Sequence, residues 1–188
     1  LLTSGVYAYA ASPDFEILLF GYAFDDDPVA VVDLAQGERL PKEVLDALFD
    51  ASVQKTAFNA NFERTCISKW LAAGMPASEW SCTAVLAKEL GLPNSLDAVG
   101  KVIGLPEDQQ KLKTGKALIR YFSVPCKPTK ANGQRTRNLP AHDPEKWALY
   151  KEYNRQDVVA EREIRRRLER FRVVESEQKL WEVDQAIN

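Results

Sequence analysis

From His142 to Phe171 the apolar residues recur at helical spacing: Trp147, Tyr150, Tyr153, Ala160, Ile164, Leu168 and Phe171. This pattern predicts one long helix with a core-facing stripe. Asp143 is placed to cap its first free N–H groups, and Pro144 suits the first helical position. Asp157 interrupts the stripe. It lies four residues after Tyr153 and three before Ala160, so its carboxylate points the way they do. A carboxylate on such a face is costly unless it is paired or binds a cation. Two readings follow: an edge-of-stripe carboxylate that meets an arginine such as Arg120, or a ligand.

The rest of the chain is read the same way. Leu1 to Tyr9 is expected to be extended. Phe15 to Phe24 and Val29 to Leu34 read as two strands joined by the turn Asp25-Asp26-Asp27-Pro28. The three aspartates of that turn read as solvated charge at a hairpin tip. Pro41 to Phe49 predicts a short helix, and Val53 to Asn59 a short strand. A helix from Asn61 to Ala73 follows, with Gly74 as its C-cap and Pro76 blocking its continuation. Trp80 to Thr83 is extended. Short helices are expected at Ala84 to Leu90, after the cap Ser95, and at Gly115 to Phe122. Ser123 to Ala141 is a loop rich in turn formers with few apolar residues, expected to be mobile. Glu175 to Ile187 reads as a last helix. Strands followed by mixed strands and helices predict an α/β fold, a mixed sheet flanked by helices.

Composition narrows the function classes. The 188 residues suit one domain, with 45% apolar and 28% charged residues. No apolar run is long enough to span a membrane and no signal-peptide pattern opens the chain. Cys66, Cys82 and Cys126 are odd in number and far apart, which points to a reducing, cytoplasmic setting. With His142 as the single histidine, any metal must be held mainly by oxygen, which favours Mg²⁺ or Mn²⁺. The net charge is −2, but from Gln109 to His142 there is no acidic residue. That stretch carries Lys111, Lys113, Lys116, Arg120, Lys127, Lys130, Arg135 and Arg137, a block able either to hold phosphates or to stand as a solvated loop.

In open α/β sheets, sites lie at the carboxyl ends of strands. Ala57-Phe58-Asn59-Ala60-Asn61-Phe62-Glu63 is such an end. Glu63 falls in the first helical turn, where the dipole favours a carboxylate. Asn59-x-x-x-Glu63 and Tyr153-x-x-x-Asp157 together resemble the second and third motifs of the DEDD 3′–5′ exonucleases, in the subgroup with Tyr in the third motif. More narrowly, the chain resembles the proofreading domain of phage and prophage family A DNA polymerases. The likeness runs through SGVYAYAASPDFEILLFGYAFDD, AFNANFERTC, FSVPCKPTKANGQRTRN, EYNRQDV and the closing WEVDQAIN.

That resemblance implies a ribonuclease-H-like fold over residues 1–188. It implies 3′–5′ hydrolysis of the terminal phosphodiester of single-stranded DNA with two Mg²⁺ or Mn²⁺ ions. Asp157 would bind the water-activating ion and Tyr153 would orient the water. Glu63 would serve the second ion, and Asn59 would brace its motif or touch substrate. Lys127, Lys130, Arg135 and Arg137 would contact phosphates, with Tyr121 and Phe122 as stacking partners. WEVDQAIN would lead into a polymerase domain of the same chain.

The chain departs from the family pattern at two points. Glu63 stands where the family has Asp. The first motif, Asp-x-Glu late in a central strand, has no counterpart in place. Asp14-Phe15-Glu16 has the letters but follows Pro13 and precedes its apolar run, so Asp14 and Glu16 read as hairpin residues. The first motif and its strand are then expected upstream of Leu1, and the chain alone is expected to cleave poorly. Two other functions fit the same residues: a non-catalytic single-strand-binding or structural domain of a polymerase, and an RNA-trimming exonuclease.

Overall fold

The computed structural model describes residues 5–110, 115–171 and 173–187. The chain forms eight α-helices and four short strands among these residues. Helix α1 (Gly5–Ala10) replaces the extended opening expected for Tyr9 and its neighbours. The reason is tertiary. The Tyr9 ring stacks on Phe62 at 6.0 Å and meets the edge of Phe15 at 5.6 Å, which docks α1 on the third helix. Residues 1–4 lie outside the described set.

β1 (Phe20–Tyr22) and β2 (Ala30–Val32) form an antiparallel hairpin, Gly21 opposite Val31. Both strands are shorter than the sequence suggests. Asp14 lies in the turn before β1 and Glu16 in the connection, not in the hairpin. The aspartate turn is tied down: Arg162 donates to the carbonyls of Asp25 and Asp27, and Arg166 pairs with Asp26.

α2 (Lys42–Phe49) is followed by β3 (Lys55–Ala57), α3 (Ala60–Leu71) and β4 (Trp80–Cys82). β3 and β4 pair in parallel, Thr56 opposite Ser81. Helix α3 stops earlier than expected. Ala72, at φ 50°, takes the left-handed cap position in place of Gly74. Two separate two-stranded sheets therefore stand where one mixed sheet was expected. They share a core. Val32 of β2, Trp80 and Cys82 of β4, and Ala60 and Ile67 of α3 pack together, with Phe20, Tyr22 and Ala57 against them.

α4 (Thr83–Glu89), α5 (Leu96–Val102, capped by Ser95) and α6 (Gly115–Ser123) lead to α7 (Pro144–Leu168). α7 is 25 residues long. Asp143 accepts from the Lys146 N–H at 3.0 Å, and Pro144 occupies the first turn. Arg165, Arg166 and Arg167 fall in the last turn, where the dipole favours cations. Its apolar stripe is buried from Trp147 to Leu168. Phe171 leaves it: the helix has ended and the ring is exposed. α8 (Glu175–Ile187) closes the chain with Leu180, Val183 and Ile187 facing solvent. No helix among the described residues is long and apolar enough to cross a membrane. Cys66, Cys82 and Cys126 are free thiols.

Candidate active site

Helix α7 carries the centre of the site. Gly21 of β1 lets the hairpin approach it closely: a Cβ there would stand 2.5 Å from Asn154 Oδ1. Trp147 Nε1 donates to the buried carboxylate of Asp33 at 2.7 Å, pinning the start of α7 to the end of β2. Tyr153 follows on the same face and is buried. The Asp157 carboxylate lies one turn on and acts on the Tyr153 phenol. Burial first, and then the Asp157 charge, push the phenol well above its ordinary range. Asp157 is half-buried, with Oδ1 shielded from solvent.

Aromatic rings fix Tyr153 in place. Tyr150 stacks on it at 6.2 Å, Phe122 stacks on Tyr150 at 5.5 Å, and Trp147 meets Phe122 edge-on at 4.8 Å. Gly115, at the start of α6, passes directly beneath the Tyr153 ring. A Cβ at Gly115 would lie 1.9 Å from Tyr153 Cε2.

Glu63 sits in the first turn of α3, immediately after β3, as its sequence position suggests. It is half-buried with Oε2 shielded from solvent. One turn later, Cys66 is buried, and its thiol is pushed up to about 12 by burial and then by the Glu63 charge. Tyr9 links the two halves of the region. Its phenol is raised first by burial, then by Cys66 of α3 and by Tyr150 of α7. Tyr150 in turn is raised first by burial and also by Asp157. Tyr9 and Gly115 were not singled out in the sequence, because nothing local to either residue signals a partner so far along the chain.

Asn59 lies in the turn between β3 and α3 and is exposed, and its amide makes no helix cap. Asn61 accepts from Thr65 Oγ1 and from Tyr7 Oη, both at 3.2 Å. A second buried carboxylate lies on α7. Glu161 accepts from Thr83 Oγ1 at 2.6 Å, and burial raises its carboxyl despite Arg165 and Arg162 nearby.

The basic segment carries hydrogen bonds of its own. Asn132 Oδ1 accepts from Thr129 N at 2.9 Å, and Asn132 Nδ2 donates to Lys127 O at 2.8 Å. Arg135 Nε donates to the buried Asn138 at 2.8 Å, so Arg135 serves the loop itself. Arg137 pairs with Glu16 at 2.5 Å. Lys127 and Lys130 are exposed. Of the two expected stacking residues, Tyr121 is half-buried but Phe122 is 1% exposed and belongs to the core. The helical period explains this: Phe122 falls on one face with Leu118 and Gly115. Lys111 and Lys113 lie outside the described residues.

The donor set does not complete a metal centre. Among the described residues, no group of three or more His, Cys, Asp or Glu side chains is placed to hold an ion. Glu63 and Asp157 bring two carboxylates, fewer than the two-ion arrangement needs. Glu16, engaged by Arg137, is committed elsewhere.

Over all of its 188 residues the chain is 63% identical to a DNA polymerase of Bacillus phage SP02. It spans 29% of that polymerase's length. No protein-family model and no solved structure gives a significant match.

Proposed function

We propose that this chain is the 3′–5′ exonuclease module of a phage-type DNA polymerase. In this reading it removes nucleotides from the 3′ end of single-stranded DNA, with a polymerase domain elsewhere in the same protein. The observation that carries the reading is the buried Tyr153 with the Asp157 carboxylate acting on it from one turn on along α7. It lies in a segment that is similar from end to end to part of a phage polymerase.

Each residue has a physical role. Tyr153 stays protonated at working pH, because burial and the Asp157 charge both oppose the phenolate. It therefore cannot act as a general base. As a neutral phenol it keeps a hydroxyl able to orient a water beside the scissile phosphate. Glu63 gains from the N-terminal end of α3. Asn59, exposed in the turn between β3 and α3, is free to meet substrate. Lys127, Lys130 and Arg135, whose partners Asn138 and Asn132 are neutral, supply phosphate contacts, while Arg137 first has to leave Glu16. Mg²⁺ or Mn²⁺, when bound, would need oxygen donors in addition to Glu63 and Asp157.

One alternative is a non-catalytic module that only binds single strands. Digestion of 5′-labelled single-stranded DNA by a polymerase carrying this segment separates the two. A ladder shortening from the 3′ end, slowed by Tyr153→Phe, supports the nuclease. Binding that survives chelation with no ladder under any divalent ion supports the alternative.

A further inference from the structure

β3 and β4 end side by side, with Ala57 opposite Cys82. Just beyond, each strand turns toward a helix. Phe58 precedes Asn59 at the start of α3, and Thr83 begins α4. The two ends are tied together: the Phe58 carbonyl accepts from Ala84 N at 2.8 Å and from Cys82 Sγ at 3.4 Å. Thr83, 3% exposed, also reaches across to α7. Its Oγ1 donates to Glu161 Oε1 at 2.6 Å, within the range of about 2.5–2.7 Å for a hydroxyl on a carboxylate.

Burying Glu161 is costly, because its carboxylate gives up water. An apolar side chain on the same face would pack α7 against α4 without that cost. What a hydrogen bond adds is direction. Phe58 packs with Leu86, Val99 and Ile164, contacts that hold the elements together without fixing their height. The Glu161–Thr83 bond fixes it. Asp157 lies four residues before Glu161 on α7, and Glu63 lies four residues after Asn59 on α3. Each offset is about one helical turn, or roughly 6 Å. A path of hydrogen bonds thus joins the turn carrying Asp157 to the turn carrying Glu63. It runs from Glu161 to Thr83, then from Ala84 to the Phe58 carbonyl, and on into α3.

We propose that Glu161 and Thr83 are a positioning pair, whose hydrogen bond sets where the Asp157 carboxylate stands relative to Glu63. The use made of that geometry rests on the exonuclease reading. Both residues act through the two carboxylates, so breaking their bond lowers kcat and leaves KM for the strand. Displacing reacting groups by about 1 Å can cost roughly 10²-fold in rate.

The test uses a polymerase carrying this segment and follows removal of the 3′ nucleotide from single-stranded DNA. Thr83→Val keeps the shape and removes the hydroxyl. Thr83→Ser and Glu161→Gln keep a donor and an acceptor for the bond. Thr83→Val/Glu161→Met removes both partners and leaves no buried polar group unpaired, so its stability should stay near the unaltered value. Thr83→Val and the double variant should each lose at least about tenfold in kcat, with KM unchanged, while the Ser and Gln variants keep their rate. Full kcat in the double variant overturns the pair. Hydrogen exchange of peptide 58–63 in the same proteins is the second measure. The double variant should speed it about two- to tenfold, the fold-change of one net hydrogen bond. Unchanged exchange there overturns the pair whatever the cleavage shows. If the unaltered polymerase removes no 3′ nucleotide, the exonuclease reading falls, and the exchange alone decides whether the bond holds the Glu63 turn in place.

Discussion

Trp147 Nε1 donates to Asp33 Oδ2 at 2.7 Å, with the two residues only 3% and 1% exposed. The bond joins the end of β2 to the first turns of α7 and so sets the height at which Tyr153 and Asp157 stand. Gln36 Nε2 also donates to that carboxylate, at 2.6 Å, and Lys151 approaches at 3.4 Å. Trp147→Phe keeps the ring but removes one donor from a buried charge. It should cost about 1–3 kcal/mol of unfolding free energy, read from the urea midpoint.

Gly115→Ala should be far more damaging than an ordinary helix substitution. Its Cβ would overlap the Tyr153 ring, so the ring or α6 must move. A loss of about 1–3 kcal/mol is expected. Adding Tyr153→Ala should recover much of it, because the clash partner is gone. Thermal unfolding of the two single variants and the double variant measures this coupling.

Arg137 and Glu16 neutralise one another at the surface. Glu16→Gln should release the guanidinium. Single-strand binding should then tighten, and the slope of log K against log salt should steepen by up to about 0.7 for one added phosphate contact. An unchanged slope would mean that Arg137 cannot reach the strand.

The alkaline limb of stability follows from two groups. The Cys66 thiol rises from its ordinary value of 9.0 to about 12 in the fold, and the Tyr153 phenol is raised as well. A group raised on folding supports the native state below its unfolded value and loses that support as pH climbs to its folded value. Stability should therefore fall between about pH 9 and pH 12, measured as unfolding free energy against pH. Asp157→Asn should bring the Tyr153 phenolate in at lower pH, seen in its ultraviolet absorbance, because one cause of the rise is removed.

Helix α7 was legible in the sequence because its signals are local: the Asp143 cap, Pro144, and a period that repeats from Trp147 to Leu168. The same period assigns Phe122 to the inner face with Leu118, against its expected stacking role. Other features have no local signal. Arg137 meets Glu16 across 121 positions, and Tyr9 finds Phe62 only once α1 has docked. The alternating apolar residues near Tyr9 suit a strand, yet that packing makes them helical. The sheets were legible as strands but not as two separate pairs. Strand pairing depends on which neighbour is present, and no single strand encodes that.

The most direct measurement uses a polymerase carrying this segment, with a primer bearing a mismatched 3′ nucleotide. Removal of that nucleotide and extension of a matched primer are timed side by side, for the unaltered protein and for Asp157→Ala. The account predicts that Asp157→Ala lowers mismatch removal by at least a hundredfold, on the scale of losing one electrostatic or acid–base contribution, and leaves extension unchanged. Mismatch removal at the unaltered rate in Asp157→Ala would contradict it.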